Sequence, residues 1–205
     1  MNISEKTNII KQKAIEMGFD GVGVIKAGFF IDEAQRLRNW LEKNFNAEML
    51  YMERNLDKRL DPQLLVENTK SIIVLLKNYY PKRFQVDNTY NVSKFAYGAD
   101  YHSVIKNKLK ELFEFINKEI QKVSGRFFVD SAPVLERYIA KKAGLGWIGK
   151  NSMLLTKAGS YFFIGEIFLD IELECEKFEH PSYCGSCTKC ITACPTKAIV
   201  EPFVI

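Results

Sequence analysis

Apolar residues along the chain fall into two rhythms, helical spacing and short continuous runs, and together they predict an α/β order of elements. Ser4 can cap a helix running to about Met17, with Ile9, Ile10, Ala14, Ile15 and Met17 as its buried side and Gly18 as its stop. Phe19–Ile25 reads as a strand in which Gly21 and Gly23 leave room for close backbone approach. Asp32–Asn44 predicts a second helix, with Ala34, Leu37, Trp40 and Leu41 on one face. Met49–Pro62 is irregular and Arg-rich, with Arg54 and Arg59 set among Tyr51, Met52 and Leu60. Ser71–Leu76 is a continuous apolar run rich in β-branched residues, the pattern of a central strand buried on both faces. Val92–Ala99 is weakly strand-like.

The clearest helix is Ser103–Val123, where Ile105, Leu109, Leu112, Phe113, Ile116, Ile120 and Val123 recur at three- and four-residue spacing. Its Lys106, Lys110, Glu114 and Lys118 lie toward the other side and read first as a solvated face. Arg126–Val129 is a short strand, and Pro133 suits the first turn of a helix reaching Ala143, with Gly144 at its end. Met153–Thr156 and Tyr161–Asp170 predict a hairpin around Lys157–Ser160. Near Glu172 the strand-like sequence gives way to Cys, Lys, Thr and Ser. Residues 1–172 are therefore read as one domain and 173–205 as a small module.

Composition bounds the class. Hydrophobic residues make up 47% and charged residues 26%, as in ordinary globular domains. A net charge of +4 permits a nucleic-acid partner without demanding one. Charged residues interrupt Met1–Met17, so no signal-peptide core is visible, and no apolar run approaches a membrane span. The expectation is a soluble cytoplasmic protein, and in that compartment clustered cysteines point to metal ligands ahead of disulfides.

Such a cluster is present. Cys184, Cys187, Cys190 and Cys194, followed by Pro195, fit C-x2-C-x2-C-x3-C-P without an error, the ligand run of bacterial-type iron–sulfur proteins. Two-residue spacing lets a tight loop aim successive thiolates at one cluster, and Gly185 and Ser186 permit close backbone approach. A zinc ribbon would need a second C-x2-C knuckle, and none exists. Cys175 falls outside the spacing and reads as a strand residue. In two-cluster proteins the fourth cysteine of such a run serves the other cluster. Only eleven residues follow Cys194, the last of them Ile205, so the expectation is a fragment whose clusters are incomplete or absent.

Three further features carry candidate chemistry. Gly144, Gly146 and Gly149 satisfy G-x-G-x-x-G, and with Lys150 they nearly make a phosphate loop, Asn151 standing where a hydroxyl is needed. A helix precedes these glycines and strand-like sequence follows, the wrong context for either nucleotide motif; they mark tight backbone beside a ligand or cluster. Asp130 follows the strand Phe127–Val129 and is either a catalytic carboxyl or the cap of the helix beginning near Pro133. Glu136 and Arg137 stand one turn later, positioned for a local ion pair. His102, beside Asp100 and Tyr101, is a site residue, a capping partner or a plain surface group.

Taken together, Asp130-Ser-Ala-Pro-Val-Leu-Glu-Arg137, Ala143-Gly-Leu-Gly-Trp-Ile-Gly-Lys-Asn151, Asp100-Tyr-His102 and the cysteine run resemble, in this order, the epoxyqueuosine reductase family. The likeness covers essentially the whole chain, including Tyr51–Pro62. It implies a nitroreductase-like, mixed-sheet domain holding base-off cobalamin, beside the start of a ferredoxin-like domain that carries two 4Fe-4S clusters in the full-length family. It further implies that the clusters pass electrons to the cobalt and that Asp130 protonates the departing epoxide oxygen. A proton donor must be neutral before reaction, so Asp130 would need a pKa raised by burial. By approximate motif match, Arg54, Tyr97, Tyr101, His102, Gly144, Gly146, Trp147, Ile148, Gly149, Lys150 and Asn151 would face the cobalamin. Implied partners are a tRNA anticodon loop carrying epoxyqueuosine and an external electron donor such as flavodoxin or ferredoxin, with the protein a monomer and no membrane involved.

Two other classes use the same parts. A corrinoid-dependent reductive dehalogenase shares the cobalamin-plus-clusters logic but usually carries an export signal. A simple ferredoxin-type electron carrier needs few residues, whereas more than 170 precede Cys184. The isolated chain is predicted to bind a cluster poorly or not at all; iron quantitation with a stable, stoichiometric 4Fe-4S absorption on the 205-residue chain would overturn this.

Overall fold

The computed structural model describes residues 1–85 and 90–205. In chain order its elements begin with helix α1 (Ile3–Glu16), strand β1 (Gly21–Lys26), helix α2 (Ile31–Glu42), and short helices α3 (Leu56–Leu60) and α4 (Pro62–Leu65). Strand β2 (Ser71–Asn78), helix α5 (Tyr101–Phe115), strand β3 (Gly125–Phe128) and helix α6 (Glu136–Lys142) follow. The chain then forms β4 (Trp147–Ile148), β5 (Leu154–Leu155), β6 (Phe162–Leu169) and a last short helix, α7 (Lys189–Thr192).

Four strands make the main sheet in the order β1-β2-β6-β3. Every pairing in it is antiparallel, as is the separate β4–β5 pair, where a mixed sheet was expected. As the apolar run predicts, β2 is central, and its first six residues are all buried. One face packs under α1 and α5, where Ile10, Ala14, Ile105, Leu109 and Leu112 meet Val24, Ile73, Leu75 and Ile167. The other packs under α6, where Ile139, Ala140 and Ala143 meet Ile72, Val74, Leu76 and Phe168. Burial of each such aliphatic side chain stabilises the fold by roughly 1.5–3 kcal/mol. A third, smaller cluster joins Ala34 and Leu37 of α2 to Leu60 of α3.

Several expectations are corrected. Asn2, not Ser4, caps α1, through a capping box with Glu5; Thr7, Ile10 and Ala14 form the buried stripe, while Ile9 and Ile15 are exposed. The long helix does not run regularly to Val123: after Phe115 it passes into a π turn, Ile116–Ile120. There the Asn117 amide donates to Phe113 O (3.1 Å) and its oxygen accepts the Val123 N–H (3.0 Å), which ends the helix. Val92–Ala99 is not a strand but contains a 3-10 turn, Lys94–Ala96.

The expected hairpin is also replaced. β5 pairs with β4, whereas β6 enters the main sheet between β2 and β3. An eight-residue run such as Phe162–Leu169, apolar on both faces except for Glu166, finds partners for both only inside the sheet. Beyond β6 the chain stays on the core for a few residues: Leu173 N–H donates to Ser71 Oγ (3.0 Å), Glu174 N–H to Thr7 Oγ1 (2.8 Å) and Glu176 N–H to Val24 O (2.9 Å). Cys175 lies in this extended segment, half-buried but in no strand. Among the described residues no helix is long and apolar enough to cross a membrane.

Gly23 shows how closely β1 and α6 meet, because a Cβ there would lie 2.2 Å from Ala143 O and 2.9 Å from Ala143 Cβ. Gly23→Ala is expected to destabilise the chain by about 1–3 kcal/mol in a denaturant titration, while Gly28→Ala, whose Cβ meets nothing within 4 Å, stays near neutral. Equal midpoints for the two variants would show that this contact is not tight.

Candidate active site

The α6 side of the sheet opens into a cavity of about 820 Å³. Phe162 and Ile164 of β6, Leu154 of β5 and Val134 give it an apolar floor, and Arg36, Arg54, Arg59 and Arg137 give it a basic rim. Arg59 is buried; its Nη2 donates to Tyr51 O (3.2 Å), and its Nε has no partner.

Asp130 stands on the wall of this cavity, two residues past the end of β3. Its backbone is left-handed, with φ +56°, a conformation that side-chain-bearing residues seldom adopt and that Asp tolerates better than most. Tight bonds from Ser131 N–H to Val129 O (2.6 Å) and from Val134 N–H to Ala132 O (2.8 Å) hold the turn. They also delay the helix, which starts at Glu136 and not at Pro133. The capping reading of Asp130 therefore fails, and the bonding runs the other way: Asp130 N–H donates to Glu136 Oε1 (2.6 Å). Glu136 and Arg137 do not pair with each other. Arg137 Nη1 instead donates to Ser152 O (2.7 Å), tying α6 to the turn after β4.

Helix α5 delivers the partners of the Asp130 carboxyl. Asp100 caps α5 by accepting the His102 N–H (3.0 Å) and also accepts from His102 Nδ1 (2.9 Å). This fixes the ring so that Nε2 lies 3.7 Å from Asp130 Oδ2. The His102 contacts draw the Asp100 carboxyl below its ordinary range. Tyr101 donates its hydroxyl to Asp130 Oδ2, and burial followed by that bond raises the phenol well above its usual value, which keeps it a donor. Tyr101 is stacked between Phe163 (centroids 4.1 Å apart) and His102 (4.0 Å). Asp130 itself is not buried as expected: its side chain is 59% exposed.

The buried carboxyls are others. Burial pushes Glu136 up to about 7; the Asp130 N–H opposes this, and the Asp130 charge adds to it. Glu166, wholly buried on β6, is raised far above the carboxylate range by desolvation and then by Glu136 and Asp130.

The glycine-rich segment serves a different purpose from phosphate binding. A Cβ on Gly144 would lie 2.7 Å from Phe178 O, and one on Gly146 would lie 2.2 Å from Leu155 O, so the chain's own backbone fills the space a ligand would need. Of that segment Ile148 lines the cavity and Trp147 is buried against Tyr183. Gly149 packs on Leu155, and the Asn151 side chain accepts the Met153 N–H (3.3 Å). Lys150 reaches the cysteine loop, donating to Gly185 O (2.7 Å) and Cys187 O (2.9 Å). Tyr97 lies outside the cavity lining and donates to Gln85 Oε1 (3.0 Å). Thus Arg54, Tyr101, Asp130 and Ile148 share one cavity, whereas Tyr97, His102, Gly144, Gly146, Trp147, Gly149, Lys150 and Asn151 stand around or behind it.

All four cysteines of the run are free, and among the described residues no three metal-ligating side chains gather as a metal-binding group. Cys194 is nonetheless activated: the Ile199 N–H, with the Thr196 hydroxyl and neighbouring N–H groups, lowers its thiol to about 7.

Comparison with known proteins places this geometry. The profile described as epoxyqueuosine reductase QueG, DUF1730, matches residues 59–131. An epoxyqueuosine reductase of Cellulophaga algicola is 56% identical over the whole chain, which spans 67% of that relative's length. The chain belongs to the epoxyqueuosine reductase family. A crystal structure of an epoxyqueuosine reductase with an epoxyqueuosine-modified tRNA-Tyr stem loop superposes with a TM-score of 0.90 at 29% identity, covering all of this chain and 55% of that one. A Bacillus subtilis epoxyqueuosine reductase, whose catalytic aspartate loop is swung out of the active site, superposes at 0.85 with 28% identity, again over all of this chain and 55% of its own. The chain thus spans roughly half to two thirds of these family members.

Within this family architecture, Glu136 and Glu166 are the site groups that the sequence reading did not single out as functional. A signal for Glu166 was present: a lone charge inside the apolar run Tyr161–Leu169 is rare unless the residue has a role. Because the Glu136 pKa is raised in the folded state, its stability contribution is complete below the ordinary carboxylate value of 4.5 and is lost as pH rises through about 7. Relative to Glu136→Gln, the chain should therefore lose on the order of 3 kcal/mol between pH 4.5 and neutrality. Parallel denaturation curves across this window test it, and a constant difference between the two proteins would show that Glu136 ionises normally.

Proposed function

We propose that this chain carries the catalytic core of an epoxyqueuosine reductase that converts epoxyqueuosine to queuosine in tRNA, with Asp130 as proton donor to the departing oxygen. The observation that carries this reading is the placement of Asp130. It is held in a left-handed turn on a large cavity, gripped by the Tyr101 hydroxyl at its carboxyl and by Glu136 at its N–H. Such over-determined backbone at a cavity wall is characteristic of catalytic groups.

The cavity's lining supports the reading of a cobalamin as its ligand. Its apolar floor suits a flat macrocycle, and the unpartnered Arg59 Nε, with Arg54 and Arg137 at the rim, suits the amide carbonyls that fringe one. When bound, cobalamin supplies the electrons that no side chain can give. This chain's own residues do the rest. Tyr101 and His102 orient the Asp130 carboxyl, and a ligand seated on the apolar floor would cover that carboxyl and keep water from it. The four cysteine thiols are free and do not gather as a metal-binding group in this structure. The wider reading includes a nitroreductase-like core, a ferredoxin-like module from about residue 173, and a tRNA anticodon loop as the substrate-bearing partner. It is supported by the family membership and by the stem-loop complex of the solved relative.

In the cofactor-loaded holoenzyme, Asp130→Asn should preserve the base-off spectral change on cobalamin binding and lower epoxide reduction by about 100-fold or more. Undiminished turnover would remove Asp130 from the donor role. Loss of the spectral change would instead make Asp130 a binding residue.

A further inference from the structure

A nucleobase delivered from an RNA loop into an enzyme cavity leaves the stack of its neighbours. Those neighbours then present unpaired faces that need a new partner. Beside the cavity the chain exposes rings that could take that place.

Tyr79 and Tyr80 directly follow β2, and Tyr161 stands immediately before β6. Tyr79 N–H donates to Tyr161 O (2.9 Å), so the paired strands carry these rings past the end of the sheet. Tyr79 and Phe95 line the cavity, and their neighbours lie outside it. There Tyr80, Phe84 and Tyr161 surround the Lys94 ammonium, whose Nζ lies 5.4, 5.6 and 5.1 Å from the three ring centroids. Lys94 also donates to the Tyr161 hydroxyl (3.4 Å). Tyr80 meets Phe84 (5.7 Å) and Tyr161 (4.9 Å) edge to face. Cation–π contacts and ring packing therefore hold the group in place.

The group is held but not covered. Tyr80 is 50% exposed and Phe84 57%, and Phe95 at the cavity rim is 50% exposed. Clustered apolar surface of this kind marks an interaction site. Its charge points to the partner. Residues 79–97 carry Lys82, Arg83 and Lys94 against a single acid, Asp87, which lies outside the described residues. Lys82 and Arg83 are both exposed. Rings interleaved with cations suit the faces of nucleobases and the phosphates between them. Position favours the same partner: a folded protein seated here would shut the adjoining cavity, whereas an RNA loop seated here would deliver its base into it.

We propose that the exposed rings of Tyr80 and Phe84, braced by Lys94, form a stacking platform for unpaired nucleobases of the RNA loop that carries the substrate. This rests on the reading of the cavity as the site of an RNA-borne epoxide. Every nucleobase has a π face, so the platform tolerates different loop sequences and leaves selection to the cavity.

Fluorescence anisotropy on the 205-residue chain tests the platform, using an RNA hairpin with an anticodon-sized unpaired loop and a blunt RNA duplex as control. Tyr80→Ala and Phe84→Ala should each weaken hairpin binding about tenfold, while Tyr80→Phe and Phe84→Tyr should retain it. Duplex binding should not change in any of the four. A fluorescent purine in the loop should be quenched on binding to the parent chain and not to the Tyr80→Ala, Phe84→Ala double variant. Neither side chain lines the cavity, so the double variant should keep the parental denaturation midpoint and the cobalamin spectral change. Unchanged hairpin affinity in the double variant, an equal loss on the duplex, or no hairpin binding by the parent chain would overturn the platform. The first two results would leave the Asp130 assignment standing. Full turnover by Asp130→Asn alongside the hairpin losses would remove the donor and keep the platform.

Discussion

The long antiparallel pairing of β2 with β6 is the constraint from which the site follows. It runs without interruption from Ser71↔Leu169 to Asn78↔Phe162. Because strand side chains alternate between faces, this register decides what each β6 residue meets. Phe163, Gly165 and Ile167 face α5, while Phe162, Ile164, Glu166 and Phe168 face α6. Gly165 lets α5 settle closely, since a Cβ there would meet Ile105 and Leu109 at 3.1 Å. With α5 seated, Tyr101 at its first turn stacks on Phe163 and reaches Asp130. A slip of one residue would turn Glu166 into the α5 core and lift Phe163 away from Tyr101.

That arrangement sets a hydrophobic packing problem against an electrostatic one. Aromatic and aliphatic side chains fill both faces of β6, yet the strand also buries a carboxyl with nothing to bond to. Replacing such a group with an apolar one of similar shape is often neutral or stabilising, so stability alone gives no reason for Glu166. Glu136 is similarly desolvated at the N-terminus of α6, a place where a negative charge is ordinarily welcome. Burial outweighs that preference here and leaves Glu136 poised between its two forms. The Asp130 N–H is bonded to this poised group, so the hold on the turn depends on the charge behind it.

Much of this was legible in the sequence, and the parts that were not share a cause. Chain-local signals were read well: the β-branched run of β2, the helical spacing of α5, and Gly144 at the end of α6. Asp130, Tyr101 and Arg54, which the family resemblance implied as site residues, line one cavity. Long-range pairing was not legible, because the apolar run of β6 looks the same beside β5 as between β2 and β3. Only the competition for partners on two faces separates the two arrangements. The start of α6 was placed too early because Pro133 is acceptable in a first helical turn, and nothing local announced the tight turns around Asp130. Asp130 is exposed where burial was expected, and Glu136 is the carboxyl that burial raises, since depth below a surface is a property of the packed layers.

The glycine-rich segment gains its meaning from the same layers. Its glycines admit the carbonyls of Leu155 and Phe178, so the segment is clamped between β5 and the chain beyond the core. From that clamped backbone Ile148 turns toward the cavity and Lys150 toward Gly185 and Cys187. One short, rigid stretch thus touches both the cavity and the cysteine loop, two residues apart in sequence. A Cβ at Gly146 would force Leu155 away and loosen both contacts at once. In this chain the requirement for glycine comes from packing, and its consequence is a fixed distance between the cavity and the cysteine loop.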